Sequence, residues 1–196
     1  LEPLPAAVSD FYIDNPEKFS EGIKKLNLES NLPKVIKNNL KRSGLFYILD
    51  KKSHIQKPKL SHLKPRFEDW SLIKAQIMIS GKIKIDEKGR LRVEFRLWDV
   101  VSAKEIEGLA LFATPKSWRR IGHIISDKIY QRMTGEEGYF DTRIIYVAES
   151  GPKDRRIKKL AIMDQDGANN KFLTLGNELV LTPRFNPNSQ LVTYMS

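Results

Sequence analysis

Four consecutive residues, Asp164, Gln165, Asp166 and Gly167, are the closest approach in this sequence to a metal-binding motif. They match the start of a calcium loop, in which oxygen-bearing side chains precede a glycine. Such a loop also needs a third oxygen ligand before the glycine and a glutamate some residues later, whereas this chain continues with alanine and two asparagines. We therefore interpret the four residues as a hairpin turn, in which Asp-Gly supplies the positive φ.

The three histidines match no metal or catalytic pattern. His54 and His62 are separated by eight positions in a basic loop predicted over residues 51–64, with no third ligand at a useful spacing, so we predict ordinary surface histidines. His123 lies off the apolar stripe of a predicted helix, which indicates a polar face. No glycine-flanked serine elbow, glycine-rich phosphate loop or His-Glu-x-x-His motif occurs. We therefore expect no enzymatic activity, no catalytic or cofactor-binding residue and no metal site.

The strongest strand signal is an alternation of apolar and polar residues over 77–85 and 91–97, on either side of a turn at 86–89. It predicts a hairpin whose polar face carries three arginines, Arg90, Arg92 and Arg96. Two interpretations of that face stay open. It is either a site for a polyanion such as nucleic acid, or a solvated face on which Arg and Glu pair across strands, and we favour the second.

Composition bounds the possible partners. The chain has 196 residues, a formal net charge of +10 and no cysteine, which excludes disulfides and cysteine metal sites. A charge of this sign makes an anionic partner worth considering. The basic residues are dispersed, however, and no nucleic-acid motif accompanies them, so we expect no nucleic-acid partner. No apolar run approaches the ~20 residues needed to span a bilayer, so we expect no membrane span.

The pattern up to residue 137 predicts an α/β domain with a mixed sheet and two main helices. The first main helix is capped by Ser30 or Asn31, has Pro33 near its first position and ends before Gly44. The second begins after a cap at Ser117. The predicted elements are strands over 4–13, 45–49, 77–85, 91–97 and 109–113, a short helix over 67–73 and the closing helix over 114–135.

The pattern after residue 137 predicts an all-β segment with a repeat. Runs of β-branched and aromatic residues over 143–147 and 190–194 are about 48 positions apart, a spacing typical of propeller blades. Two shorter strands are predicted between them, over 160–163 and 171–174. The segment therefore predicts about one blade and the start of a second. Because a lone blade leaves its strand edges without neighbours, we expect self-association through those edges, or mobility.

Three segments of this part resemble the TolB family: FDTRIIYV at 140–147, LAIMDQDGAN at 160–169 and PRFNPNSQ at 183–190. The family usually has Ser-Pro-Asp-Gly in the last of them, whereas this chain has Asn186, Pro187, Asn188 and Ser189. Asn and Ser also suit a turn. The helix-to-strand junction at 42–46 and the Thr134-Gly135 ending of the closing helix are similar to the family too, so the resemblance covers nearly the whole chain.

The resemblance implies an N-terminal α/β domain over 1–137 and a truncated propeller over 138–196. It implies a non-enzymatic, periplasmic interaction scaffold of the Tol-Pal cell-envelope system of Gram-negative bacteria. The implied partners are the lipoprotein Pal and TolA, and the implied roles are outer-membrane integrity, cell division and colicin import. Family members contact TolA through a short segment upstream of this domain, and we expect the contact to be missing here because nothing before Leu1 matches that segment. The resemblance does not say which residues contact either partner.

Overall fold

The computed structural model describes residues 2–177, 179–187, 189 and 191–195. The chain divides into two compact units, Leu1–Phe140 and Asp141–Ser196. Phe140 is fully buried, and its N–H donates to Asp127 Oδ1 at 2.6 Å. A boundary between residues 137 and 138 stays a prediction.

The first unit combines a sheet with helices. Its strands are β1 (Leu4–Val8), β2 (Tyr12–Ile13), β3 (Phe46–Ile48), β4 (Ile77–Ile85), β5 (Leu91–Asp99) and β6 (Lys104–Ala113). Its α-helices are α1 (Glu21–Lys24), α2 (Leu28–Arg42), α3 (Pro58–Leu63), α4 (Phe67–Leu72) and α5 (Trp118–Thr134). Single 3-10 turns lie at Pro16–Lys18, Lys51–Ser53 and Pro115–Ser117. The loop predicted over 51–64 therefore contains a 3-10 turn and a helix.

The sheet is mixed, with strand order β3-β1-β4-β5-β6 and with β2 also paired to β4. β1 runs parallel to both of its neighbours, and β2 runs parallel to β4. The β4-β5 and β5-β6 pairs are antiparallel and form the predicted meander. The first strand of the chain therefore lies between two strands that come later in the sequence.

The chain does not run straight from β1 into β2, so the single strand predicted over 4–13 is wrong. Ala6 pairs with Ile77 and Tyr12 pairs with Lys82. Between these paired segments the Ser9 N–H still donates to the Ile79 carbonyl, but the N–H of Phe11 turns away from β4. Phe11 is buried there against the backbone of β4, where a methyl group on Gly81 would overlap its ring. The glycine therefore makes room for the aromatic ring that fills the break.

Helix α2 supplies the hydrogen-bond acceptor for this break. It begins at Leu28, after a left-handed Asn27 with φ of 45°, so the predicted cap at Ser30 or Asn31 is wrong and Pro33 lies inside the helix. Proline has no N–H to donate to the carbonyl four residues earlier, which here belongs to Glu29. The Phe11 N–H donates to that Glu29 carbonyl instead, at 3.0 Å. The carbonyl that Pro33 leaves without a helical donor thus accepts from the N–H that the strand break leaves without a partner strand.

Replacing Gly81 with alanine is expected to lower the free energy of unfolding by about 2 kcal/mol, because the new methyl group must displace a buried ring. Urea denaturation followed by circular dichroism measures the change. Gly22→Ala is the matched control, since a methyl group there meets nothing closer than Ser20 Oγ at 4.0 Å. Equal midpoints for the Gly81 variant and the unaltered chain would contradict the close packing described here.

Helix α5 packs beside α2 on one face of the sheet. Ile121, Ile125 and Ile129 are buried as the predicted stripe requires, and the helix ends at Gly135 with φ of 79°. A methyl group on Gly122 would lie 3.0 Å from the Val35 side chain, which shows how closely the two helices approach. Ser117 occupies the predicted N-cap position of α5, but it also ends the preceding 3-10 turn and its side chain makes no cap hydrogen bond.

The other face of the sheet is only partly solvated, which corrects the expectation of one wet face. Near the start of β4, Met78 and Ser80 are fully buried, and Trp98 beside them is nearly so. Helices α3 and α4 lie over this end, and Trp70 of α4 joins a small second core there. The alternating pattern could not distinguish this covered end from the exposed remainder, because a serine fits either.

The second unit contains β7 (Arg143–Ser150), β8 (Ile157–Asp164), β9 (Lys171–Phe172), β10 (Leu181–Phe185) and β11 (Val192–Met195). The first three form an antiparallel sheet and the last two a separate pair. Asn188 and Gln190, in the predicted turn and at the start of the last predicted strand, lie outside the described residues. Many apolar side chains here are exposed, including Leu175, Leu191 and Met195.

Candidate functional site

The exposed part of the sheet carries a row of paired charges on β4, β5 and β6. Lys82 Nζ lies 2.8 Å from Glu94 Oε2, and Arg92 Nη1 lies 2.9 Å from Glu94 Oε1. Arg96 Nε is 3.7 Å from Glu105 Oε2. Burial alone would raise the pKa of Glu94, but the hydrogen bond from Lys82 and the charges of Lys82 and Arg92 hold that pKa below its ordinary value. The predicted pairing of Arg with Glu across strands is found for Arg96 and Glu105. Arg92 instead pairs with Glu94 on its own strand, and the cross-strand partner of Glu94 is Lys82.

The arginines also rest on aromatic rings. The guanidinium carbons of Arg90 and Arg92 lie 4.9 and 5.8 Å from the centroid of Phe112, and that of Arg96 lies 5.7 Å from Trp98. Phe112 is the direct cross-strand partner of Arg92. Sequence reasoning did not single out Phe112, although the alternation in 109–113 already placed it on the arginine side.

Replacing any one of Arg90, Arg92 and Arg96 with glutamine is expected to cost well under ~1 kcal/mol, because each interacts at a partly solvated surface. Equilibrium unfolding of the three variants measures the cost. A loss of several kcal/mol would contradict the view that these pairs are ordinary surface interactions.

His62 is buried, so its predicted place on the surface is wrong. It is 1% exposed, because α3 lays it over β4. Its Nδ1 lies 3.3 Å from Ser80 Oγ, which accepts a hydrogen bond from Trp98 Nε1 at 3.1 Å. Burial, then the charges of Arg96 and Lys82, lower the pKa of His62 to about 4. The ring is therefore neutral at physiological pH and holds α3 on the sheet.

His54 is also enclosed rather than freely solvated. Its ring meets Trp70 edge to face at 5.0 Å, and its Nε2 is buried without a hydrogen-bond partner among the described residues. Burial, followed by the charge of Lys37, lowers the pKa of His54 to about 4. The two histidines thus lie in the covering layer of the second core, and both depart from the prediction for the same reason.

His123 lies between the two main helices, which corrects its predicted place on a polar face. It is 2% exposed, and its Nδ1 lies 3.0 Å from Asn39 Nδ2. The same amide donates to Ser126 Oγ at 3.0 Å, and Arg42 donates to Asn39 Oδ1 at 3.0 Å. The buried face of α5 is wider than its isoleucine stripe. It includes the polar residues His123 and Ser126, whose side chains are within hydrogen-bond distance of Asn39 on α2.

The segment from Asp164 to Gly167 forms the predicted hairpin turn. The Gly167 N–H donates to the Asp164 carbonyl at 2.9 Å, and Gly167 has φ of 84°. Within the turn, Asp166 Oδ1 accepts from the Ala168 N–H at 3.1 Å. The Asp166 carboxylate, which suggested a calcium loop, therefore accepts a hydrogen bond within the turn itself. The absence of catalytic, cofactor and metal residues stays a prediction.

Across the described ranges of the chain, every helix is too short or too polar to cross a lipid bilayer.

Two family profiles match the chain. One, described as the TolB amino-terminal domain, matches residues 1–106, and the other, described as the TolB beta propeller domain, matches residues 130–196. The first covers the sheet up to β6, and the second begins in α5 and includes all strands of the second unit.

Known proteins agree with these profiles. The Tol-Pal system protein TolB of Pelagibacter ubique (strain HTCC1062) is 62% identical over 199 residues, which cover 100% of this chain and 44% of the relative. The crystal structure of TolB from Acinetobacter baumannii superimposes with a TM-score of 0.78 at 26% identity, covering 99% of this chain and 44% of that one. The predicted fold, an α/β domain followed by a truncated propeller segment, is confirmed. The chain spans less than half the length of these relatives.

Proposed function

This chain belongs to the TolB family, and from that premise we propose that it is a non-enzymatic interaction scaffold of the Tol-Pal cell-envelope system. It acts in the periplasm of a Gram-negative bacterium, where it contributes to outer-membrane integrity and cell division. Colicins use the same system for import.

The observation that supports this proposal most is the 62% identity over the whole chain to a relative named as a Tol-Pal system protein. Both units take part in that likeness, since the two profiles match at opposite ends of the chain. The charges at the centre of the exposed sheet face pair with one another or pack on aromatic rings, as is typical of a structural surface. An interaction scaffold binds its partners through surfaces and needs no reactive side chain.

We propose Pal and TolA as the partners. Family members bind Pal largely through the propeller, and this chain has the length of only 44% of its relatives. A chain extended over the whole propeller is therefore expected to bind Pal more tightly than the chain described here.

Immobilised Pal and TolA, probed separately with both chain lengths, test the proposal. Binding of Pal by the extended chain, with weak or no binding by the present one, is the expected result. If the extended chain binds neither Pal nor TolA, the proposal is contradicted. The present chain contains no cysteine, so it cannot be captured through a disulfide bond to either partner.

The alternative function is a polyanion-binding or nucleic-acid-binding module that uses the whole basic sheet face. The central ion pairs count against it, because Lys82 and Arg92 already pair with Glu94, and Arg96 pairs with Glu105. A salt titration distinguishes the two functions, since binding to nucleic acid weakens steeply with ionic strength. Salt-sensitive binding of DNA or RNA to this face would favour the alternative.

A further inference from the structure

We propose that the β4-β5 hairpin end carries a binding site for a phosphoryl-bearing anion with two or more negative charges. The site is a shallow cavity of about 430 Å³ beside the turn. Its charged lining residues are Lys18, Lys84, Asp86, Glu87, Lys88, Arg90 and Arg92. Five of these are cationic and two anionic, a positive excess of three, whereas the cations Lys82, Arg92 and Arg96 at the centre of the face exceed Glu94 and Glu105 by one.

The turn is rigid enough to hold its charged residues in place. Asp86 Oδ1 accepts from the N–H groups of Lys88 and Arg90 at 2.9 and 2.8 Å, and its Oδ2 accepts from Arg90 Nε at 2.9 Å. The pKa of Asp86 is lowered, chiefly by the backbone N–H of Arg90. Asp86 therefore stays ionised, and its ion-pair partner is Arg90.

Phe112 forms the apolar floor of the site. Arg90 and Arg92 are two positions apart on β5, so both project to the same side, and both guanidinium groups lie over this ring. Stacking on a ring leaves the edge of a guanidinium able to donate hydrogen bonds. Arg90 uses Nε and Nη2 on Asp86, and Arg92 uses Nη1 on Glu94, so the remaining terminal nitrogen of each guanidinium is the donor for a ligand. Phe112 is 50% exposed, so the platform is open to solvent.

Three lysines complete the positive lining. Lys84 lies on β4, Lys88 in the turn and Lys18 at the end of the 3-10 turn Pro16–Lys18, so they approach the cavity from three directions. None of the three has an ion-pair partner among the residues that the structure describes. An anion with several charged oxygens could satisfy these lysines and the arginine edges together, whereas a single carboxylate could reach few of them.

Calorimetric titration with pyrophosphate tests the proposal for a soluble ligand. Sedimentation with phosphatidylcholine vesicles, with and without about 30% phosphatidic acid, whose phosphate monoester can carry two negative charges, tests a phosphoryl group displayed on a membrane. Binding in either arm is the expected result, and the arm that responds identifies the source. Absence of binding in both arms, or binding of a DNA oligonucleotide alone, would overturn the proposal.

The variant Lys84→Glu/Lys88→Glu is expected to weaken binding by at least about tenfold, because two attractive charges become repulsive. Lys52→Glu/Lys57→Glu is the matched control, since it makes the same charge change at exposed lysines outside the cavity. It should change the affinity by less than about twofold at an ionic strength that screens distant charges. Equal losses in both variants would show attraction by net charge alone and overturn the site. Lys84→Gln/Lys88→Gln, with folding checked by circular dichroism, repeats the test with less electrostatic strain.

Discussion

Acidification from pH 7 to pH 4 is expected to lower the free energy of unfolding of the first unit by about 3 kcal/mol through His62 alone. The pKa of His62 is about 4 in the folded chain, against an ordinary 6.5. Protonation would place a buried cation beside Arg96 and Lys82, with Glu94 as the opposing charge. The proton would also disturb the contact of the ring with Ser80, which Trp98 shares.

The sign of the effect follows from which state binds the proton first. Because the folded pKa is depressed, the unfolded chain takes up the proton at a higher pH than the folded chain. Stability is therefore fully present above the unfolded value of 6.5 and is lost as the pH falls toward 4. The pKa of His54 is also lowered to about 4, so His54 adds to the loss in the same pH range.

Urea denaturation at a series of pH values measures the effect. Between about pH 4.5 and 6, His62→Gln should remove about 1.4 kcal/mol per pH unit from the slope of stability against pH. The slope is informative even when the variant is less stable at every pH. Asp99→Asn is the control. The Ser102 N–H is the main cause that lowers the pKa of Asp99 from 3.8, so this carboxyl group titrates below the pH window of the measurement. An unchanged slope in the His62 variant would contradict the buried neutral ring.

Amide hydrogen exchange is expected to be at least about a thousandfold faster over residues 144–147 and 160–163 than over 91–97 in dilute protein. Strand β5 is paired on both sides, and its apolar positions lie in the large core. Among the strands that the structure describes, β7 pairs only with β8, and the residues of β7 are exposed or half-buried. Leu160 and Ala161 of β8 are buried, but their sheet has only three strands.

Exchange should be measured at several protein concentrations, with the molecular mass determined in parallel. Protection of 144–147 that rises with concentration would support self-association through exposed strand edges. Equal protection of all three segments in a dilute monomer would contradict the expectation that this unit is the less stable one.

Sequence periodicity predicted the elements whose residues alternate or repeat over several turns. The β4-β5 hairpin, the isoleucine stripe of α5 and the Asp-Gly turn at 167 were predicted because local chemistry determines each of them. The break after β1 was not predictable in this way, since it depends on Phe11 meeting Gly81 and Glu29, which lie far away in the sequence.

The buried histidines show the same limit for candidate sites. Nothing near His62 in the sequence indicates that Ser80 and Trp98 will lie beside it, because α3 brings them together only in the folded chain. His123 was misplaced because its partner Asn39 is on another helix. A polar residue beside an apolar stripe could have been flagged, but its partner could not have been named.

The central position of β1 has a consequence for how the chain acquires its fold. Synthesis delivers β1 before β4, yet the two strands pair, with Ala6 opposite Ile77. The local meander of β4, β5 and β6 can form early, since its contacts are close in sequence, whereas insertion of β1 must close a long loop. Until then the apolar segment Leu4–Val8 has no partner strands, so a chaperone that recognises extended apolar segments can bind it. Folding of this unit is thus expected to end, rather than begin, with its first strand.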